Sequence, residues 1–522
     1  MRRVVARLSY GVAVLALAIS FLGIRRASDD VFAYAIELPE GIPAVIYEPG
    51  PPRGHGAPPP DEVAFPTIVL GHALAADRST LDLLARRLTR AGYAVVTFDF
   101  RGHGRNRAPY GRVREGRGGL LEDLSAVVAY VRAHPRLDGL RLAVGGHSLG
   151  ASTALRYASY ESGVGAVIGI SGGTSPDGPY PVQNLLLIWG QGDFGSTRTG
   201  LRDLGARLSG LTRLVLDRTY RDPARGDAIR LSEVPGTGHA RILYSREAAR
   251  RILDWLEATL GPGEGARPAP LEGGVGWLVL LGLAALLVLL WGLPAALAPV
   301  FPGRARREVD APLASLGLLL AALAGGMALL SGGAAFVGGG LFDFVPLAVG
   351  RDVAAFFAVS GLLLWVLLAR RGELLASRAR LLSSLAAAGL LLGFAYLALG
   401  GVISPYRELG LAPKRLPWWI LCAVLTLPYF AATEFLLRGR GGAGVWLPIA
   451  GKLLALLALA LGSGLGLLPH AIGLALGGLV ALFTLLELVA YRLGRADFDP
   501  WVPALFQAAA LGLLLASWPL EI

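Results

Sequence analysis

Apolar and polar positions alternate with different periods in three stretches of this chain. The first is an apolar run from Leu8 to Ile24, preceded by Arg2, Arg3 and Arg7 and closed by Arg25 and Arg26. It has the length of a signal-peptide core or a short membrane span. No small-x-small cleavage site follows, so residues 1–30 read as an uncleaved signal anchor, with a cleaved signal as the alternative. Either reading sends the next segment across a membrane.

From Val31 to Leu260, strand-length apolar runs alternate with amphipathic runs of helix length, the pattern of a mostly parallel sheet flanked by helices. Phe32 to Leu38 and Ala44 to Tyr47 predict an opening hairpin, and Pro49 to Pro60 a surface loop. Buried strands are expected at Thr67 to Leu70, Tyr93 to Phe98, the run ending at Leu142-Ala143-Val144, Ala166 to Ile170 and Leu185 to Ile188. Arg213 to Leu216 and Ile229 to Val234 are expected to close the sheet. Helices are expected at Leu81 to Ala91, Leu120 to Ala133, from Ser148 through Ala158, and at Arg246 to Leu260. Gly261 to Gly273, rich in glycine and proline, reads as a linker. Beyond it the pattern becomes almost continuously apolar. Spans of bilayer length are expected near Gly274 to Leu297, Leu313 to Leu330, Val353 to Leu368, Leu381 to Leu399, Leu416 to Phe435, Val445 to Leu465, His470 to Leu488 and Trp501 to Trp518. The fold class is thus an α/β domain, residues 31–260, followed by an all-α membrane domain of about eight helices, residues 274–522.

Composition agrees: 54% hydrophobic and 17% charged residues over 522 positions exclude a purely soluble chain. The net charge of +11 is carried by arginine, with Lys414 and Lys452 the only lysines. No basic cluster interleaved with aromatics marks a nucleic-acid surface, so no such partner is expected. The arginines flank apolar segments instead. With a cytoplasmic amino terminus, the loops on that side carry Arg304, Arg306 and Arg307, then Arg370, Arg371, Arg378 and Arg380, then Arg438 and Arg440, then Arg492 and Arg495. The opposite loops hold only Arg351, Arg407, Lys414 and Arg415. That asymmetry predicts an extracytoplasmic α/β domain. The single cysteine, Cys422, excludes an intramolecular disulfide and any CxxC site, and no metal or cofactor is expected.

The chemistry concentrates where the third strand ends in Gly146-His147-Ser148-Leu149-Gly150 and helix-forming residues follow. A strand-turn-helix of this kind is a nucleophile elbow, whose turn is so tight that a Cβ at either glycine would collide with its neighbours. Serine needs a base, an acid that fixes the base, and oxyanion donors, in chain order Ser, Asp or Glu, His. Past Ser148 the histidines are His239 and His470, and the second falls in a predicted span. His239, in a glycine-rich loop after a strand, is therefore the candidate base. Asp193, just after Leu185 to Ile188, is the first candidate acid and Asp177 its competitor. The backbone N–H groups of Leu149 and Leu74 are the candidate oxyanion hole. His72, His103 and His147 read as hydrogen-bonded loop anchors.

With these parts in order, residues 31–260 resemble the α/β-hydrolase superfamily. Gly71-His72-Ala73-Leu74 looks like the family's His-Gly-x-Gly oxyanion loop, with Ala73 where glycine is common, and Asp99-Phe100-Arg101-Gly102-His103-Gly104 is similar to its Asp-x-Arg-Gly-His-Gly loop. The whole chain also resembles bacterial membrane proteins in which such a domain is fused to a polytopic carboxyl half, to which Ile242 to Glu247 contributes. The resemblance implies a serine hydrolase in a bacterial inner membrane and leaves the substrate open.

Only Ser171 to Asn184 separates two of the strands where a helical cap is often inserted, so an open site is expected. The substrate reading is a small-molecule or lipid-like acyl ester, with peptides and thioesters as alternatives and the oligomeric state left open. In the membrane half, Glu434, Lys452 and Glu487 are explained more economically by snorkelling or mutual pairing than by a proton path. Ser331 to Gly350, with Asp343, reads as a re-entrant piece or surface platform, and the small residues along Leu461 to Gly478 suit close helix packing. The alternative function is a transporter or assembly protein whose hydrolase-like domain senses a ligand.

Overall fold

The computed structural model describes residues 2–28, 31–50, 64–110, 119–264, 273–301, 303, 312–337, 342, 344–347, 349–369, 381–404, 413–439, 442–469 and 472–518. Most of the Pro49 to Pro60 loop, the linker beyond Glu264, Asp343, His470 and the arginines Arg304, Arg306, Arg307, Arg370, Arg371, Arg378, Arg380, Arg407 and Arg440 lie outside the described residues.

The chain divides into two compact units. One is built on a nine-stranded sheet: β1 (Phe32–Glu37), β2 (Pro43–Glu48), β3 (Phe65–Gly71), β4 (Ala94–Phe98), β5 (Leu137–His147), β6 (Ala166–Ile170), β7 (Leu185–Gly190), β8 (Thr219–Tyr220) and β9 (Ile229–Val234). Their spatial order is β1-β2-β4-β3-β5-β6-β7-β9-β8. The stretch from β4 to β9 is parallel, while β1, β2 and β8 pair antiparallel at the edges.

Because parallel strands are covered on both faces, they read as unbroken apolar runs. Successive residues of each run serve opposite faces. Val69, Val96 and Val144 pack with α3 (Leu120–Ala133), α4 (Leu149–Tyr160) and α5 (Gly195–Ser209), whereas Ile68, Val95 and Ala143 pack with α2 (Asp82–Arg90) and α6 (Arg246–Leu260).

Two elements depart from the sequence reading. Arg213 to Leu216 is not a strand: the edge is the two-residue β8, three positions further on. Leu214 and Leu216 alternate as a strand would, but they pack against the sheet's core while their backbone pairs with no strand. The second departure is α5, whose three glycines in Gly195-Ser-Thr-Arg-Thr-Gly200-Leu-Arg-Asp-Leu-Gly205 hid it. It forms because Leu201 and Leu204 are buried against the sheet.

The other unit contains the first helix, α1 (Arg2–Ser28), as far as Phe21, and most of eight later helices. These are α7 (Gly273–Leu297), α8 (Pro312–Val337), α9 (Gly350–Ala369), α10 (Leu381–Ile403), α11 (Leu416–Leu436), α12 (Ala443–Gly464), α13 (Ile472–Arg495) and α14 (Trp501–Ala516). Among the described residues eight helices, α1 among them, are long and apolar enough to cross a bilayer. The last expected span is shorter than the sequence suggests: α14 has 16 residues and packs chiefly against α11. Arg415 donates to the carbonyls of Ala516 and Trp518 at 2.7 and 2.5 Å, closing the end of α14. Along α1, Tyr10, Ser20 and Phe21 sit where a Cβ on Gly292, Gly282 or Gly401 would have to be, so this helix packs closely on α7 and α10.

Candidate active site

Ser148 follows β5 directly and stands at the first position before α4, with φ 53° and ψ −105°. Serine in that place ordinarily caps the helix with its hydroxyl. The left-handed backbone turns the side chain away, and no capping bond forms. Ser148 N–H donates to the Ile170 carbonyl at 2.9 Å, which pins the turn to β6. The strain is tolerated because the surroundings are glycine: a Cβ on Gly146 or Gly150 would come closer than 3.0 Å to the Gly71 carbonyl, and one on Gly172 closer than 3.0 Å to Ser148 itself.

His239 lies in the loop after β9, and Asp193 in the loop after the neighbouring β7. The two loops are stitched by Gly192 N–H to the Thr237 carbonyl at 2.8 Å. His239 Nδ1 meets Asp193 Oδ1 at 2.8 Å. An ionised carboxylate only accepts, so Nδ1 carries the proton and Nε2 presents its lone pair. Asp193 is buried, which pushes its pKa up, but hydrogen bonds from His239 and the Phe194 N–H, together with the neighbouring Ser171 hydroxyl, outweigh burial and hold it below the ordinary carboxylate range. Asp177, by contrast, pairs with Arg156 of α4 at 3.2 Å and lies exposed. The structure thus brings His239 together with Asp193 and not with Asp177.

His147 ties the elbow to His239. Its Nε2 donates to the His239 carbonyl at 2.8 Å, and the two rings lie 4.9 Å apart. Burial and the neighbouring His239 lower its pKa to about 4, so it is neutral. His72 anchors the loop after β3 in the same manner. Phe100 N–H donates to His72 Nε2 at 3.1 Å, so the proton is on Nδ1, which donates to the Ala73 carbonyl at 2.8 Å. In a trans peptide the N–H points opposite to the C=O. Holding the Ala73 carbonyl against His72 therefore turns the Leu74 N–H away from it. His103 Nδ1 bonds to the Arg101 carbonyl at 2.9 Å. Asp99 in the same loop accepts from Arg78 N–H, the Arg78 guanidinium and Arg105 N–H. All three histidines are anchors, as the sequence suggests.

Sequence reasoning passed over two residues here. Ser171, at φ 49°, lies beside the Asp193 carboxylate and helps keep it ionised without a well-aligned bond. Phe194, directly after the acid, packs its ring 4.9 Å from His239 and remains half exposed. Position next to the acid was the one signal available for Phe194; Ser171 had none.

Residues 64–233 match the family described as Serine aminopeptidase, S33, a stretch that includes Ser148 and Asp193 and stops short of His239. Over 111 residues the chain is 33% identical to the quorum-quenching protein AidA of Acinetobacter baumannii, covering 21% of this chain and 36% of that protein. It is also 28% identical over 111 residues to an uncharacterized 31.7 kDa protein from the traX-finO intergenic region of Escherichia coli, covering 21% and 38%. The chain thus spans little more than a third of the length of these curated relatives. Among solved structures, an esterase from Pyrobaculum calidifontis is similar at 18% identity and a TM-score of 0.32, covering 48% of this chain and 93% of that one.

Proposed function

From the premise that this chain carries a serine-hydrolase domain of the α/β-hydrolase superfamily, we propose that it cleaves an acyl ester through an acyl-enzyme formed on Ser148. The observation that carries this reading is the 2.8 Å bond between His239 Nδ1 and Asp193, which leaves His239 Nε2 as the base at the same sheet edge as the strained Ser148.

His239 takes the Ser148 proton as Oγ bonds to the ester carbonyl carbon. The Leu149 N–H, unbonded at the start of α4, and the Leu74 N–H, turned out by the His72 anchor, hold the resulting oxyanion. The C–O bond to the alcohol then breaks, and His239 returns its proton to the departing oxygen. Water, deprotonated by His239, attacks the acyl-enzyme; the acid leaves and Ser148 regains its proton. Asp193 stays ionised throughout and stabilises the imidazolium. A domain that only sensed a ligand would have no use for a bonded Asp193–His239 pair beside such an elbow.

The domain is further proposed to lie outside a bacterial inner membrane, held by α1 and the later helices, with a small or lipid-like ester as substrate. The arginine asymmetry between loops supports this placement, and the packing of α1 on α7 and α10 supports its retention as an anchor. The site lacks a helical insertion between β6 and β7, which suits an ester presented at an open edge.

The test is labelling of the purified full chain by a fluorophosphonate probe. Wild type should be modified at Ser148, and Ser148→Ala and His239→Ala should not be labelled. Labelling that persists at another serine, or none in wild type, overturns the proposal.

A further inference from the structure

The alcohol half of the ester has a recognisable place in this geometry. His239 Nδ1 is committed to Asp193, so both proton transfers run through Nε2. The departing oxygen must come within roughly 2.6–3.2 Å of that atom, and the rest of the alcohol then lies beside the His239 ring. Two aromatic rings pack on this imidazole. His147, at 4.9 Å, is buried and occupied with the His239 carbonyl. Phe194, also at 4.9 Å and 48% exposed, is the one a substrate can reach.

Phe194 is a poor choice on local grounds. It sits at the cap position of α5, where Ser, Thr, Asp or Asn would supply an acceptor, and it makes no side-chain capping bond. Its exposed ring leaves apolar surface in water. Its backbone is fixed, however, by the N–H bond to Asp193 Oδ1 at 2.7 Å, so the ring is held in register with the catalytic pair. A residue that breaks local preference beside reacting groups is where a functional demand is expected.

We propose that Phe194 is a specificity-determining residue that binds the alcohol portion of the substrate, and that the enzyme prefers esters whose leaving alcohol carries an aromatic or bulky apolar group. Leu74, exposed on the loop that leaves the same sheet edge after β3, extends the apolar surface. This inference rests on the esterase reading above.

The test uses the full chain and two acetate esters with the same acyl group and leaving alcohols of similar basicity, ethyl acetate and 2-phenylethyl acetate. Wild type should favour the phenylethyl ester in kcat/KM by about tenfold or more. In Phe194→Ala that ratio should fall close to one, and Phe194→Leu should lie between. If Phe194 only steadies His239, both esters suffer equally and the ratio stays put, which overturns the proposal. A wild type that shows no preference does so too. As a readout independent of turnover, 2-phenylethanol should slow fluorophosphonate labelling of wild type more than of Phe194→Ala; equal slowing counts against the role. Probe labelling of Ser148 with an unchanged ratio sinks this inference alone, whereas absence of any labelling sinks the esterase reading with it.

Discussion

His147 connects the proposed nucleophile to the proposed base: it precedes Ser148 in sequence and donates to the His239 carbonyl. Being buried and neutral, it also links stability to pH. Its pKa is lowered from 6.5 to about 4 by burial first and by His239 second. The unfolded chain therefore binds more protons than the folded one between those values. Stability is complete above about pH 6.5 and is lost as pH falls toward 4, by about 3 kcal/mol in all. His72, lowered by burial as well, contributes with the same sign. Denaturant melts of wild type between pH 7 and 4 should show this loss, and His147→Gln, which keeps a donor but cannot take up the proton, should lose less; an identical slope would refute the linkage. At the acid, Asp193→Asn should lower kcat by on the order of 10³- to 10⁴-fold, because an amide can hold His239 in the wrong tautomer. Asp177→Asn should change kcat little, since its carboxylate faces Arg156. Ester turnover measures both.

Among the elements, the elbow depends on backbone meeting backbone. The Gly71 carbonyl lies where a Cβ on Gly150 would fall, so no rotamer change relieves Gly150→Ala. That substitution should cost about 1–3 kcal/mol or more and abolish labelling of Ser148, with thermal melting and the probe as readouts. Such tightness was visible in the sequence because a sharp strand-to-helix turn requires glycine on both flanks of the serine that follows the apolar run. Helix α5 was not visible, because its glycines argue against a helix locally and only the burial of Leu201 and Leu204 against the sheet overrides them. Leu204→Ala should therefore cost about 2–5 kcal/mol, measured by denaturant unfolding. Arg213 to Leu216 failed in the opposite way. Its alternation is genuine, yet a strand needs a partner's ladder as well as a buried face, and β9 pairs with Thr219 and Tyr220 instead.

At the scale of the whole molecule, the carboxyl-terminal helical unit buries a network drawn from four helices. Arg438 donates to Glu434 at 2.7 Å and to Glu487 at 2.8 Å, Lys452 meets Glu487 at 2.5 Å, and Gln507 donates to Glu434 at 2.9 Å. Two carboxylates face two cations, so the cluster is neutral and each charge offsets another's desolvation. Mutual pairing, rather than snorkelling, accounts for Glu434, Lys452 and Glu487, and Arg438 is a member of the cluster instead of a loop charge. Lys452→Met should destabilise the protein by about 3–5 kcal/mol by stripping Glu487 of a partner, and adding Glu487→Gln should recover part of that loss. Melting of the purified chain in detergent checks both.

The division between sequence and tertiary structure follows the range of the forces involved. Periodicity, apolar run length and the Gly-x-Ser-x-Gly turn are local, so the α/β class, the long apolar helices and Ser148 as a candidate nucleophile could be read along the chain. Which carboxylate meets His239, what His147 holds, where Phe194 stands and which charges pair in the carboxyl-terminal helical unit depend on residues tens of positions apart. Those were decided only when the sheet ordered its strand ends and the helices packed, because hydrogen bonds and ion pairs act over a few ångströms of space whatever the separation in sequence.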